Sequence, residues 1–188
     1  MKGVRKSLKE RIAYLRLLAG DTDAFGYFYD QYAPKIYSYI YFRTSDQEAA
    51  QDIMHDVFLR AWQYIVDKKK VDNFRALLYQ IARNKIVDFY RAKEIAPTLL
   101  DETVAVIVQD QGGVALDIDI LRKRIISLKD EYQEVITLRH LEGLSIDEMS
   151  VVLGKDKNNV RVTLHRALTK LKELYQEAPP HDSSNQQN

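Results

Sequence analysis

The stretch formed by residues 71–93, VDNFRALLYQIARNKIVDFYRAK, constrains the fold more than any other part of the chain. Its apolar residues recur at steps of three and four, which places them on one face of a helix with about 3.6 residues per turn. A face of this kind is normally buried against other elements. The predicted inward face consists of Val71, Phe74, Leu78, Ile81, Ala82 and Phe89, with Leu77 and Ile86 at its margins.

The opposite face of this helix combines cationic, amide and aromatic side chains, namely Gln80, Arg83, Asn84, Val87 and Arg91, flanked by Tyr79 and Tyr90. Cations neutralise phosphates, aromatic rings stack on unpaired bases and an amide can bond a base edge, so this strip suits a nucleic-acid strand. The alternative is an ordinary solvated face with two tyrosines at the core boundary. The helix alone favours that alternative, whereas the rest of the chain favours the strand-binding interpretation.

Charge and composition limit where a nucleic-acid surface can lie. The 188 residues carry a net charge of +1, so a basic surface has to be local. The absence of cysteine excludes disulfides and thiolate metal sites and fits a reducing cytoplasm. The basic N-terminus has apolar residues between charges and no continuous apolar run, so we expect a soluble, cytoplasmic protein without membrane insertion.

Two helices are expected before residue 44. Residues 8–19 form an amphipathic pattern that ends at Gly20, and Asp21 or Thr22 can cap the next helix. Pro34 is expected to kink or divide that second helix. Its apolar residues have the spacing of a packed core, which is more common than an aromatic cofactor site: Phe25, Phe28, Tyr29, Tyr32, Ile36, Tyr37 and Ile40.

A third helix is predicted to begin at Thr44 or Ser45, with Gln47 or Glu48 completing a capping box, and to run to about residue 64. Its polar residues are mainly acidic, and its apolar positions are Ile53, Val57, Leu59, Ala61 and Trp62. Asp52 and Asp56 lie one turn apart with His55 nearby, but no further ligand completes a metal site. A docking surface for a basic partner is the simpler interpretation.

The composition changes after residue 93. Residues 96–119 contain five carboxylates, no lysine or arginine, one proline and two adjacent glycines, which indicates an acidic, flexible linker. We therefore predict a first domain at residues 1–95, the linker at 96–119, a second domain at 120–176 and a disordered polar tail at 177–188.

The second predicted domain contains a helix-turn-helix pattern. Ser145 and Glu148 form a capping box, and the helix that they start ends before Gly154. The next helix, residues 157–175, is locally basic. Its expected core residues are Val160, Leu164, Leu168 and Leu171, and its expected outward residues are Asn158, Asn159, Val162, Arg166 and Thr169. In a recognition helix, the first turns contact base edges while cations hold phosphates.

Four runs together resemble the bacterial RNA polymerase sigma factors of the extracytoplasmic-function (ECF) group: DAFGYFYDQYAPKIYSYI, AAQDIMHDVFLRAW, FRALLYQIARNKIVDFYR and LEGLSIDEMSVVLGKDKNNVRVTLHRALTKLKE. The resemblance covers nearly the whole chain. It implies an all-α fold with an N-terminal helical-bundle sigma region 2 domain and a C-terminal helix-turn-helix sigma region 4 domain. The first would bind the clamp helices of the polymerase and open the minus-ten promoter element, and the second would read the minus-thirty-five element.

The resemblance assigns polymerase binding to Gln51, Asp52, His55, Asp56 and Arg60. Together with the strip described above, it gives a minus-ten set of Lys68, Lys69, Lys70, Asn73, Tyr79, Gln80, Arg83, Asn84, Asp88 and Arg91. The corresponding minus-thirty-five set is Lys155, Lys157, Asn158, Asn159, Arg161, Val162, Arg166 and Lys170.

We therefore expect a transcription initiation factor whose partners are core RNA polymerase, through its clamp helices and flap, promoter DNA and an anti-sigma factor. No catalytic residue, cofactor or metal is expected, because the four histidines are scattered and no phosphate-binding glycine loop is present. Two alternatives are a stand-alone helix-turn-helix regulator, which would dimerise to read a palindrome, and a helical protein-binding adaptor.

Overall fold

The computed structural model describes residues 2–67, 71–93, 121 and 123–176, and all regular structure within these ranges is helical. The N-terminal bundle consists of α1 (Lys2–Leu18), α2 (Ala24–Thr44), α3 (Gln47–Val66) and α4 (Phe74–Ala92). The C-terminal bundle follows helical residues 123–126 and consists of α5 (Asp130–Ile136), a π-helical turn (Thr137–Leu141), α6 (Ile146–Leu153) and α7 (Lys157–Gln176). The predicted all-α fold is confirmed. The predicted linker, the predicted tail and the lysine run at 68–70 lie outside the described residues.

Helix α2 is the centre of the N-terminal bundle and contacts α1, α3 and α4. Its aromatic residues form the predicted core, although Tyr29 is 37% exposed. The ring of Phe25 packs edge-on against Phe58 and Trp62 of α3 and against Phe74 of α4. Of the two predicted effects of Pro34, a kink or a division, the division does not occur, because α2 continues through this residue. The proline ring removes one backbone hydrogen bond, and the packing of the buried residues on either side of it stabilises the helix there.

Aspartate and asparagine side chains start the next two helices. Asp46 caps α3 by accepting the backbone N–H of Ala49 at 2.9 Å, and Asn73 caps α4 by accepting that of Ala76 at 2.9 Å. The prediction that Thr44 or Ser45 begins α3 is wrong, because Ser45 instead ends α2 in a left-handed conformation with φ of 52°.

Helix α4 is buried on two sides, because α2 and α3 cover one side and α6 covers another. Leu77 and Ile86, which were expected at the margins of the inward face, are therefore 9% and 3% exposed. Tyr79 was expected beside an exposed strip and is fully buried. The helical periodicity of α4 does not predict this second contact, because the residues that form it are a mixture of polar and apolar side chains.

The C-terminal bundle has the predicted helix-turn-helix. The capping box is complete, with Ser145 Oγ accepting the backbone N–H of Glu148 at 3.2 Å and the Glu148 carboxylate accepting that of Ser145 at 2.8 Å. The turn passes through Gly154, whose φ of 63° favours glycine. Leu168 was expected in the core but is 38% exposed, and the core side of α7 instead consists of Val160, Thr163, Leu164 and Ala167.

We predict that Asp46→Ala lowers the free energy of unfolding by about 0.5–2 kcal/mol, because it removes the N-cap of α3. Asp46→Asn should retain most of the stability, since its amide oxygen can accept the same N–H. Lys93→Ala is a control for the exposed ion pair between Lys93 and Asp46, which should contribute little. Urea denaturation followed by circular dichroism measures all three variants, and equal losses for Asp46→Ala and Lys93→Ala would contradict the assignment.

The contribution of the Asp46 cap to the free energy of unfolding should depend on pH. The backbone N–H of Ala49 lowers the pKa of Asp46 below its ordinary value. The contribution of this carboxylate to stability is therefore present above the unfolded pKa of about 4 and is lost as the pH falls through the lower folded-state pKa. The stability of Asp46→Asn should lack this part of the acid dependence.

Candidate polymerase and nucleic-acid interfaces

The outer face of α3 carries all five residues predicted to bind the polymerase. Gln51, Asp52, His55, Asp56 and Arg60 are exposed, and the buried residues of α3 lie on its other side: Ala50, Ile53, Met54, Val57, Phe58, Ala61 and Ile65. The predicted exposure of Asp52 and Asp56 is confirmed. The face is therefore available to a partner, with two carboxylates one turn apart.

Leu59 lies within this face and is 66% exposed. Leu59 is one of the predicted apolar positions of α3 but does not face the core, because it follows His55 by four residues and Asp56 by three and so shares their side of the helix. An exposed leucine among charged groups is typical of a protein-docking surface. No group of three or more metal-binding side chains comes together in the part of the chain that the structure describes.

Helix α4 adjoins this outer face of α3. The ammonium group of Lys85 lies 2.5 Å from a carboxylate oxygen of Asp56. The pair is partly exposed, so it adds little stability, but it places the two candidate interfaces side by side.

The predicted strand-binding strip of α4 has an exposed half and a covered half. Asn84, Asp88 and Arg91 are exposed towards the C-terminal end of the helix, while Gln80 is half-buried. Arg83 is also half-buried, and its Nε donates a hydrogen bond to Glu134 Oε1 of α5 at 2.8 Å. The structure therefore brings together only part of the minus-ten set on an open surface.

Tyr79 lies in the covered half. Its ring packs against Tyr39 at a centroid separation of 5.3 Å, and its hydroxyl donates to Glu142 Oε2 at 2.5 Å. Burial raises the pKa of both Tyr79 and Glu142, although the hydrogen bond between them acts in the opposite direction on Glu142. Tyr79 thus stays a neutral donor. Its predicted exposure is wrong, because the C-terminal bundle covers the ring that was expected to stack on a base.

The start of α4 also contacts the C-terminal bundle. Arg75 donates to the carbonyl oxygens of Glu142 and Gly143, and its guanidinium lies 3.7 Å from the Glu148 carboxylate. The side-chain amide of Asn73 donates to the same carboxylate at 3.3 Å. Burial acts to raise the pKa of Glu148, but hydrogen bonds from Ser145 and the charge of Arg75 outweigh it and lower the pKa, so Glu148 stays ionised.

A third cation of the N-terminal bundle joins this contact. Arg43 of α2 is 8% exposed and donates to the carboxylate of Asp130. Tyr90 of α4 fixes the end of α2 from the other side, because its hydroxyl donates to the backbone carbonyl of Arg43. The sequence alone does not indicate these roles of Arg43 and Arg75, since their partners are 87 and 67 residues away and form no local pattern.

The outward side of α7 is open. Asn158, Val162 and Arg166 are exposed, as are Asn159, Arg161 and Thr169, so the predicted outward orientation of these side chains of α7 is confirmed. Asp156 caps the helix by accepting the backbone N–H groups of Asn158 and Asn159 at 2.9 Å each. The side-chain oxygen of Asn159 also accepts a hydrogen bond from the Thr163 hydroxyl at 3.2 Å.

Ion pairs position several cations around this helix. The Lys155 ammonium lies 2.6 Å from Glu131, that of Lys157 lies 2.9 Å from Asp147, and that of Lys170 lies 2.9 Å from Glu173. The hydrogen bond from Lys155 is the main reason why the pKa of Glu131 is lowered.

Comparison with known proteins decides the family. The model for sigma-70 region 2 matches residues 28–94, and that for sigma-70 region 4 matches residues 118–171. The chain is 30% identical to the ECF RNA polymerase sigma factor SigW of Bacillus subtilis (strain 168), over 85% of this chain and 91% of that protein. This chain belongs to the ECF RNA polymerase sigma factors. The family predicted from the four sequence runs is therefore confirmed.

A further relative and a solved structure similar to this chain are also sigma factors. The chain is 33% identical to the ECF RNA polymerase sigma factor BldN of Streptomyces coelicolor (strain ATCC BAA-471 / A3(2) / M145) over 85% of its length, but it spans only 63% of BldN. Its fold is similar to that of the sigma factor RpoE in complex with the anti-sigma factor NepR from Bartonella quintana, with a TM-score of 0.66 and 21% identity over 82% of this chain and 98% of that one.

As a sigma factor, the chain is a transcription initiation factor that acts with RNA polymerase and promoter DNA. Members of this family are non-enzymatic transcription factors. Among the described residues, no helix is long and apolar enough to cross a membrane.

Proposed function

We propose that this sigma factor docks on core polymerase through the outer face of α3, captures the unwound minus-ten strand with α4 and residues 68–73, and reads the minus-thirty-five element with α7. The observation that carries the proposal is the exposure of Gln51, Asp52, His55, Asp56, Leu59 and Arg60 on one side of α3, with the packed core on the other side. This surface has charged groups around an apolar centre, which suits docking to another protein.

We further propose that residues 1–95 act as the docking and melting domain, 96–119 as a linker, 120–176 as the duplex-reading domain and 177–188 as a tail. The chain would act in the cytoplasm without catalytic activity of its own, because the polymerase performs the chemistry. Its proposed polymerase contacts are the clamp helices and the flap, and an anti-sigma factor is a further proposed partner. A stand-alone regulator or an adaptor is not favoured, because neither would need the docking face of α3.

Run-off transcription tests the proposed function. Purified core polymerase is supplied with a promoter-containing duplex template, with and without this protein. We expect a promoter-dependent product only when the protein is present. A stand-alone regulator or an adaptor would give no such product.

We predict that Leu59→Ala or Asp52→Lys weakens binding to core polymerase by about tenfold, which corresponds to about 1.4 kcal/mol. The alanine variant removes the apolar centre of the docking face, and the lysine variant reverses one of its charges. Asp30→Lys is the matched control, because Asp30 is an exposed aspartate on α2 and is not one of the proposed docking residues. Titration of labelled protein with core polymerase measures all three, and an unchanged affinity for both docking variants would move the docking site elsewhere.

We predict that Asn158→Ala relaxes upstream base preference by about 1–3 kcal/mol at one base pair, because an exposed amide in the first turn of α7 can bond adenine with two hydrogen bonds. Thr169→Ala, three turns further along the exposed side, is the control and should leave base preference unchanged. Competition between duplex promoters that differ at single minus-thirty-five positions, in the presence of core polymerase, measures the preference. Uniform weakening across all sequences would instead assign Asn158 to backbone contacts.

We predict that Asn84→Ala impairs strand separation while retaining duplex recruitment, because its proposed ligands are bases exposed only after melting. Asn84 is a better probe than Arg83, since Arg83 already pairs with Glu134. Permanganate footprinting of thymines reports opening, a duplex-binding assay reports recruitment, and a pre-melted bubble template should restore initiation. Asn158→Ala is the matched control, because it should alter upstream recognition and leave strand separation at a bound promoter unchanged. Normal strand separation by Asn84→Ala would exclude a role of Asn84 in melting.

A further inference from the structure

Helix α1 carries an apolar stripe on the side that faces away from the N-terminal bundle. Leu8, Ile12, Leu15 and Leu18, which we call the α1 stripe, are 60%, 50%, 59% and 52% exposed. Single exposed leucines are normal on a protein surface, but a row of four along one helix is an apolar patch of the kind that marks an interaction site. None of the four belongs to the proposed polymerase or DNA contacts.

The other side of α1 anchors this helix to the bundle. Leu17 is 4% exposed, and α1 packs against α2. The carboxylate of Glu10 accepts a hydrogen bond from the Tyr32 hydroxyl at 2.9 Å, and the hydroxyl of Tyr14 accepts one from the backbone N–H of Val71 at 3.3 Å. The α1 stripe is therefore presented by a helix that is already fixed in place.

The spacing of the stripe is that of a coiled-coil seam. Leu8, Ile12 and Leu15 follow one another at steps of four and three, which are the d, a and d positions of a heptad. A β-branched residue at a with leucine at d favours the pairing of two helices. The stripe can therefore accept the apolar face of one further helix.

The residues beside this seam are cations. Lys9 and Arg16 occupy e positions and Arg11 a g position, and all three are exposed. Arg16 is held by Asp21, with its guanidinium 2.6 Å from the carboxylate, so Lys9 and Arg11 are the main charges available to a ligand. Charges at e and g select the partner of a coiled coil.

This charge pattern distinguishes among the possible occupants. A second copy of the chain would place cations opposite cations in either helix orientation, which is unfavourable. An anionic lipid surface would attract the cations but has no need of heptad spacing. A helix with an apolar seam flanked by carboxylates satisfies both the spacing and the charge.

We propose that the α1 stripe is a docking site for an acidic amphipathic helix of a partner protein, which pairs with α1 as a short two-stranded coiled coil. Leucine-like residues of the partner pack on the stripe, and its glutamates or aspartates pair with Lys9 and Arg11. The site uses none of the residues assigned to polymerase docking or promoter recognition. The inference therefore goes beyond the proposed function and does not rest on it.

Peptide binding to the full chain tests the site. The probe is a fluorescent four-heptad peptide with leucine at a and d and glutamate at e and g, and fluorescence anisotropy reports its binding. We expect Ile12→Ser with Leu15→Ser to weaken binding at least about tenfold. Val151→Ser is the matched control, because Val151 is also 50% exposed but lies on α6. No binding to the original chain, or equal binding by the stripe variant, would overturn the proposal.

A charge exchange tests the selectivity. Lys9→Glu with Arg11→Glu should bind the glutamate peptide about tenfold more weakly, and a matching peptide with lysine at e and g about tenfold more tightly, than the original chain does. Lys123→Glu with Lys172→Glu makes the same change in net charge at exposed positions of the C-terminal bundle and should not alter the preference. Circular dichroism checks that every variant keeps its helix content. Equal affinity of the original chain for the two peptides would contradict an acidic partner.

Three further measurements decide between this partner and other uses of the stripe. Binding to phosphatidylglycerol vesicles that is lost in Ile12→Ser with Leu15→Ser would assign the stripe to a lipid surface, and a dimer lost in that variant, measured by sedimentation equilibrium, would assign it to a second copy. Run-off transcription by the same variant should equal that of the original chain, and its loss would assign the stripe to the polymerase. Each of these contrary outcomes would overturn the proposal. Failure of the original chain itself to direct transcription would overturn only the proposed function.

Discussion

The burial of α4 on two sides is the constraint on which the arrangement of the other helices depends. One side completes the core with α2 and α3, where Phe74, Leu78 and Ala82 are buried. The other side is held by carboxylates and backbone carbonyls of the C-terminal bundle through Arg75 and Arg83. The first contact is apolar and non-directional, whereas the second depends on matched donors and acceptors. The two sides of one helix thus differ in how easily they can separate.

Helical periodicity predicted where the helices lie because each has at least one apolar face directed at a core. It also predicted the capping box of Ser145 and Glu148, whose partners are three residues apart and need no tertiary information. The errors arose where a residue's environment is set by a distant element. Tyr79 has the sequence appearance of a boundary residue but lies under Glu142, and Leu59 has the appearance of a core residue but lies on the open side of α3.

The charge pattern could be predicted only in part, for the same reason. The acidic outer face of α3 and the basic character of α7 are local and visible in the sequence. The group of carboxylates that faces α2 and α4 is not visible there, because Asp130, Glu134, Glu142 and Glu148 are spread over α5, a turn and α6 and come together only in the folded chain. A net charge of +1 conceals this separation of charge into complementary surfaces.

The three proposed surfaces differ in how far the folded chain exposes them. The outward side of α7 is exposed in the same structure in which Arg83 pairs with Glu134 and Tyr79 is covered. Under the proposed function, duplex reading by α7 needs no separation of the bundles, whereas strand capture by α4 does. Docking of α3 is likewise possible in this arrangement, because Asp52 and Leu59 are already exposed. Under the proposed function, polymerase docking and upstream recognition would therefore use surfaces that are already exposed, whereas strand capture would use a helix that the C-terminal bundle partly covers.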